Sequence, residues 1–139
     1  MRSTASGLTF MSGSYLLDTN IAIAILEKEI DLTSRQGGSS AFFLCSHVVG
    51  ELFFGAAKSQ RSEANAARVE RLAAVCPVLG CDVETARHYG TVKNELRRKG
   101  RPIPENDIWI AATARQHDLI LVTRDPHFNE VESLPTEVW

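Results

Sequence analysis

Four acidic side chains stand where short apolar runs stop or where the next helix begins. Asp18 follows Tyr15-Leu16-Leu17 directly, Glu51 lies in Val49-Gly50-Glu51-Leu52, Asp107 in Asn106-Asp107-Ile108, and Asp125 just after Thr123-Arg124. Taken singly, each has an ordinary use. Asp18 suits a turn or a helix cap, Asp125 with Pro126 behind it suits a turn, and Asn106 or Asp107 suits the cap of the helix that follows. Glu51 falls off the apolar stripe of Val49, Leu52, Phe53 and Ala56, and by itself would simply be solvated. Gathered in one place, the four do different chemistry. Two carboxylates about 4 Å apart repel by about 4 kcal/mol at an effective dielectric near 20. Protons, helix N-termini or cations must offset that cost, and a helix dipole contributes only about 0.3–1 kcal/mol. A divalent cation does far more. An all-oxygen donor set with retained water suits Mg²⁺, with Mn²⁺ as a substitute. An acidic rim holding such an ion suits phosphodiester hydrolysis, which needs an acidified water and a polarised phosphorus–oxygen bond.

A polyanionic substrate would be repelled by that rim unless positive charge flanked it. Lys93, Arg97, Arg98, Lys99 and Arg101 fall within nine residues, with only Glu95 opposing. Arg97, Arg98 and Arg101 are therefore the candidate contacts to such a polyanion, against the plainer reading of a solvated helix end. Bulk charge offers no such attraction, since fifteen Lys and Arg against seventeen Asp and Glu leave a net charge of −2. Zinc is disfavoured: Cys76, Cys81 and His88 lack a zinc spacing. The four histidines, His47, His88, His117 and His127, are scattered, with no H-E-x-x-H among them.

The elements that must position these groups follow from hydrophobic patterning. Tyr15-Leu16-Leu17, Ala41-Phe42-Phe43-Leu44-Cys45 and Leu119-Ile120-Leu121-Val122-Thr123 are short continuous apolar runs, as expected of strands covered on both faces. Residues 75–79 form a fourth candidate, placed near an edge or a strand start by Pro77, and residues 136–139 a last edge strand. Between them, apolar residues recur at three and four: Val49, Leu52, Phe53, Ala56; Ala66, Val69, Ala73, Cys76; Ala86, Tyr89, Val92, Leu96; and Ile108, Ala111, Ala112. Gly100 with Pro102 stops the third of these helices, and Trp109 with Ile110 makes the start of the fourth apolar nearly all round. Alternating strands and helices predict a three-layer α/β/α sandwich around a mainly parallel sheet of four or five strands. In such sheets ligands gather beyond the carboxyl ends of the strands, where the four acids stand.

The 139 residues are 44% hydrophobic and 23% charged, which suits one soluble domain over residues 14–139 that needs no disulfide or zinc staple. Residues 1–13, rich in Ser, Thr and Gly, read as a disordered leader, and either Met1 or Met11 serves as a start. Three cysteines, an odd number without a repeated C-x-x-C, argue against a secreted disulfide framework. No apolar run approaches the roughly eighteen residues needed to span a bilayer. A cytoplasmic location is expected.

The stretches Leu16-Leu17-Asp18-Thr19-Asn20, Glu51-Leu52-Phe53-Phe54-Gly55-Ala56, Pro104-Glu105-Asn106-Asp107-Ile108-Trp109-Ile110-Ala111-Ala112 and Leu121-Val122-Thr123-Arg124-Asp125, with the closing Val138-Trp139, resemble the PIN-domain ribonucleases. More narrowly, they resemble the VapC-type toxins of toxin–antitoxin pairs, from about Tyr15 to the end. The resemblance implies Asp18 and Asp107 as principal Mg²⁺ ligands and Glu51 as the acid that orients or deprotonates the attacking water. It implies Asp125 as a fourth acid acting on a metal through water. Asn20 and Thr123 would support the acids or the scissile phosphate, and Ser46 would help orient the neighbouring acids. It further implies cleavage of structured RNA, often transfer RNA, pairing with a cognate antitoxin, and a homodimer.

Two other classes compete. An aspartyl-phosphate phosphatase wants a second Asp two residues after the first, where Asn20 stands, and a receiver domain wants a late lysine that the segment after Leu119 lacks. A PIN-like module that binds RNA or protein without cutting it remains the alternative, with the four intact acids speaking against it.

Overall fold

The computed structural model describes residues 13–35 and 40–139. The expected leader therefore lies, apart from Gly13, outside the described residues. In chain order the elements are β1 (Ser14–Leu17), α1 (Thr19–Leu26), a 3-10 turn at Leu32–Arg35, β2 (Ala41–Cys45), α2 (Ser46–Ala57), α3 (Ser62–Val75), β3 (Val78–Leu79), α4 (Val83–Arg98), α5 (Glu105–Gln116), β4 (Ile120–Val122), a 3-10 turn at Pro126–Glu130, and β5 (Thr136–Glu137).

The five strands form one sheet in the order β3-β2-β1-β4-β5. Every pairing is parallel, with Leu16 opposite Phe43 on one side and Leu121 on the other. The expected parallel α/β sheet is what the chain forms. Leu16, Leu17, Leu44, Leu121 and Val122 are wholly buried, as strands covered on both faces require. From β1 the chain goes to β2 and β3 on one side and later to β4 and β5 on the other. The direction of winding thus reverses at β1, the point at which sheets of this kind offer a crevice beyond the carboxyl ends of their strands, here those of β1 and β4.

Three boundaries depart from the patterning. Val75 belongs to α3, so the fourth strand shrinks to Val78–Leu79. Pro77 precedes it, and its carbonyl accepts from Leu44 N–H at 2.9 Å. The last strand likewise shrinks to Thr136–Glu137. Helix α5 begins at Glu105 with Pro104 at its cap position and no side-chain cap, so neither Asn106 nor Asp107 caps it; Asp107 lies in the first turn.

Helix α1 is apolar at every position from Ile21 to Leu26, so its sequence carries no period to mark it as helix. Asp18 starts it by accepting from Thr19 N–H at 2.8 Å. Helix α4 ends as expected at Gly100. With φ of +66° there, Gly100 N–H reaches Arg97 O and Arg101 N–H reaches Leu96 O, a Schellman motif that a Cβ would strain. At the heart of α5, Ile110, Ala111, Ala112, Thr113 and Ala114 are all wholly buried, which holds the helix start firmly against the sheet edge of the crevice.

Candidate metal centre at the sheet switch point

The crevice collects the acids. Asp18 leaves β1 at its carboxyl end and is only 4% exposed. Its Oδ1 accepts from Thr19 N–H, and its Oδ2 accepts from the Thr123 hydroxyl at 2.7 Å and from Asn20 Nδ2 at 3.4 Å. Thr123, just past β4 and also 4% exposed, accepts from Asp125 N–H at 3.0 Å through the same hydroxyl. One hydroxyl therefore joins the strand ends that carry Asp18 and Asp125. Asn20 adds a second tie, its Oδ1 accepting from Arg124 N–H at 3.2 Å. Asn20 and Thr123, two of the three expected supporting residues, thus hydrogen-bond to Asp18 and to the segment that carries Asp125.

Asp125 caps the 3-10 turn, its Oδ1 accepting from His127 N–H at 2.9 Å. His127 Nδ1 lies 3.0 Å from Asp125 Oδ1 and 3.3 Å from Asp107 Oδ2. Ligand atoms of Asp107, Asp125 and His127 all fall within 4.8 Å of one another. Glu51, exposed on α2, joins through Thr19, whose hydroxyl donates to Glu51 Oε1. Asp107 and Asp125 thus lie together with His127, the Thr123 hydroxyl joins the Asp18 carboxylate to the Asp125 backbone N–H, and Thr19 joins Asp18 to Glu51 through its N–H and its hydroxyl.

Crowding leaves an electrostatic mark. Burial pushes the Asp18 carboxyl above its usual range; the Thr123 and Thr19 hydrogen bonds oppose this, while Glu51 and Asp125 add to it. Asp107 is pushed up to about 6, first by burial, with Asp18 and Asp125 adding to it and the His127 hydrogen bond resisting. A carboxylate raised by its like-charged neighbours is relieved by a cation. Asn106 Nδ2, immediately before Asp107, is enclosed and has no hydrogen-bond partner among the described residues. The donor set, carboxylates with one imidazole at closing distance, fits a divalent ion.

Ser46 opens α2, but its hydroxyl turns to Leu79 O at 3.4 Å, on the β2–β3 side, and is not drawn among the acids. Arg97, Arg98 and Arg101 are exposed on and after the end of α4. Their stretch is tied to both acid-bearing segments. Lys93 pairs with Glu105 at 2.8 Å in the first turn of α5, and Lys99 Nζ donates to Glu130 O at the end of the 3-10 turn. Arg101 reaches Glu130 at 4.0 Å, so part of the basic run is already neutralised. Two residues of the rim escaped the sequence reading: Thr19, one position from Asp18, and His127, two positions beyond Asp125. The only sequence cue to the second is its place behind Asp125-Pro126, where a turn returns the side chain toward the cap.

Comparison with known proteins agrees with this fold. The PIN-domain family matches residues 15–134. Ribonuclease VapC2 of Haemophilus influenzae is 38% identical over 128 residues, covering 90% of this chain and 97% of that protein. The tRNA(fMet)-specific endonuclease VapC of Shigella flexneri is 38% identical with the same coverage of 90% and 97%. Among solved structures, VapBC2 from Rickettsia felis bound to a DNA fragment from its promoter superposes with a TM-score of 0.81. It is 27% identical and covers 91% of this chain and 98% of its counterpart. With its parallel sheet, its acids at the switch point and these relatives across most of its length, the chain belongs to the PIN-domain family, in its VapC branch.

Proposed function

We propose that this chain is a divalent-metal-dependent endoribonuclease that hydrolyses RNA phosphodiester bonds, and the toxin of a toxin–antitoxin pair acting in the cytoplasm. The observation that carries the reading is the convergence of Asp18, Asp107 and Asp125, with Glu51, at one strand-end crevice.

Asp18, Asp107 and Asp125 would hold the cation, Mg²⁺ or Mn²⁺. When bound, that ion supplies a Lewis acid for the phosphate and lowers the pKa of water. The chain's own residues do the rest. Thr123 fixes Asp18 from one side and Thr19 N–H from the other, so this carboxylate cannot swing away. Glu51 is exposed and tied to Thr19 through Oε1, and its second oxygen would accept a proton from the attacking water. Arg97, Arg98 and Arg101 would draw in the RNA backbone. A structured RNA, with transfer RNA foremost, is the substrate class the Shigella relative's name supports.

A protein partner also fits the surface. Ile23 on α1 and Phe53 and Phe54 on α2 are exposed, Phe54 by 65%, apolar area that a cognate antitoxin would cover. The matched Rickettsia felis structure is a VapBC assembly. A homodimer carrying the antitoxin is the expected resting form.

The test is RNA cleavage by purified protein with Mg²⁺, with Mn²⁺, with chelator, and as Asp18→Asn and Asp107→Asn. Cutting should require the metal and both acids. Undiminished cutting in chelator overturns the metal reading, and RNA binding with no cutting in any metal points to the non-catalytic module instead.

A further inference from the structure

Between the two carboxylates that face each other in the crevice stands a nitrogen, and local structure puts it there. Asp125 caps the 3-10 turn, Pro126 occupies its first position and fixes φ, and His127 N–H donates to Asp125 Oδ1. The turn therefore folds the His127 ring back over the carboxylate two residues before it. Phe128, 1% exposed, anchors the next position in the core, so the turn cannot drift outward. Nδ1 ends up 3.0 Å from Asp125 Oδ1 and 3.3 Å from Asp107 Oδ2.

A carboxylate pair with a nitrogen in reach is a different ligand set from carboxylates alone. Mg²⁺ prefers oxygen and retains its waters, gaining little from an imidazole. First-row transition ions gain from nitrogen donors along the series from Mn²⁺ upward. Building on the metal-dependent reading above, we infer that His127 Nδ1 is a direct metal ligand beside Asp107 and Asp125. The resulting nitrogen–oxygen set selects Mn²⁺, or another first-row transition ion, over Mg²⁺. Such a ligand set would add a nitrogen to the oxygen donors expected from the sequence, from a residue that the sequence spacing left aside.

The full chain, freed of metal with chelator and dialysed, is titrated separately with Mn²⁺ and Mg²⁺ by calorimetry. Mn²⁺-loaded samples are then read by electron spin-echo envelope modulation, which detects an imidazole nitrogen bonded to the ion. The wild type and His47→Asn should both show nitrogen modulation, and His127→Asn should not. Mn²⁺ affinity should fall about tenfold in His127→Asn, the scale on which losing a site partner acts, while Mg²⁺ affinity stays nearly constant. His127→Phe, which keeps the ring volume, gives the same comparison should the Asn variant fold poorly.

Nitrogen modulation that survives in His127→Asn, or Mn²⁺ and Mg²⁺ affinities that fall in parallel, overturns the assignment. Mn²⁺ bound to the wild type without any nitrogen signal overturns it too, leaving an oxygen-only metal site intact. A wild-type chain that binds neither ion at millimolar concentration overturns the metal-dependent reading along with it.

Discussion

If the crevice crowds its acids as described, the metal-free protein is held under strain that one substitution releases. Asp107→Asn replaces a carboxylate with a neutral side chain of the same shape. The Asp107 carboxyl titrates near 6 in the fold against 3.8 ordinarily, so its ionisation is disfavoured by about 3 kcal/mol relative to the unfolded chain. Its side chain is 17% exposed, and solvent screening takes back roughly half, leaving about 1.5 kcal/mol.

The sign follows from linkage. A carboxyl whose folded pKa is raised binds more protons folded than unfolded, so it favours folding below its unfolded pKa and loses that advantage as pH rises through about 6. The Asn variant escapes the loss. In chelator at pH 7.5 its melting temperature should exceed the wild type's by roughly 5 °C, at about 3–4 °C per kcal/mol for a domain of this size. The gain should be about half as large at pH 5 and small at pH 4. Calorimetric scans at the three pH values read it directly. Adding Mn²⁺ should then stabilise the wild type and leave the variant nearly unmoved. A variant less stable than wild type in chelator at pH 7.5, or a gain that does not change with pH, refutes the idea that like-charge crowding and burial govern this carboxylate.

Thr123→Val removes the hydroxyl that bonds Asp18 Oδ2 and accepts from Asp125 N–H; with Asp18 enclosed and Asp125 half-buried, denaturant unfolding should show a loss of about 2 kcal/mol, and an unchanged midpoint would deny the hydroxyl its bridging role. Replacing Arg97, Arg98 and Arg101 together by Ala should weaken RNA binding and reduce the slope of log affinity against log salt by up to about 2, measured by filter binding in chelator; an unaltered slope would make the run a solvated helix end.

The parts of this molecule that patterning reveals are those decided locally. Continuous apolar runs located the strands because parallel strands covered on both faces have no polar side to show. The three-and-four spacing located α2 to α5 for the matching reason. Helix α1 was hidden because its residues from Ile21 to Leu26 are apolar on every side, and only Asp18 as cap marks its start. The acids were legible as a set because topology alone sends strand ends to one edge. What their neighbours do was not. Thr19 reaches Glu51 across thirty-two residues, and Thr123 reaches Asp18 across one hundred and five. Such pairings carry no local spacing. The basic run was visible in sequence, but its partial neutralisation by Glu105 and Glu130 was not, since those partners come from other segments.

The plain reading of Asp18 and Asp125 does not compete with the chemical one. Each does cap a helical turn, as residues after strands often do: Asp18 accepts from Thr19 N–H and Asp125 from His127 N–H. A cap fixes one carboxylate oxygen against backbone N–H groups and so sets the direction of the other. For Asp18 the second oxygen is then met by Thr123, and for Asp125 the capped oxygen itself lies beside the His127 ring. Capping is thus the means by which short loops aim charged groups to within hydrogen-bond tolerance without a longer scaffold. Asp107, in the first turn of α5 and not its cap, lacks that restraint, and its position depends on the buried apolar body of the helix behind it. That division explains why Asp107 carries the larger electrostatic cost. Its carboxylate is held in the crevice by packing, with no backbone donor among the described residues to stabilise its charge, and a cation between it and Asp125 would relieve what the fold alone leaves uncompensated.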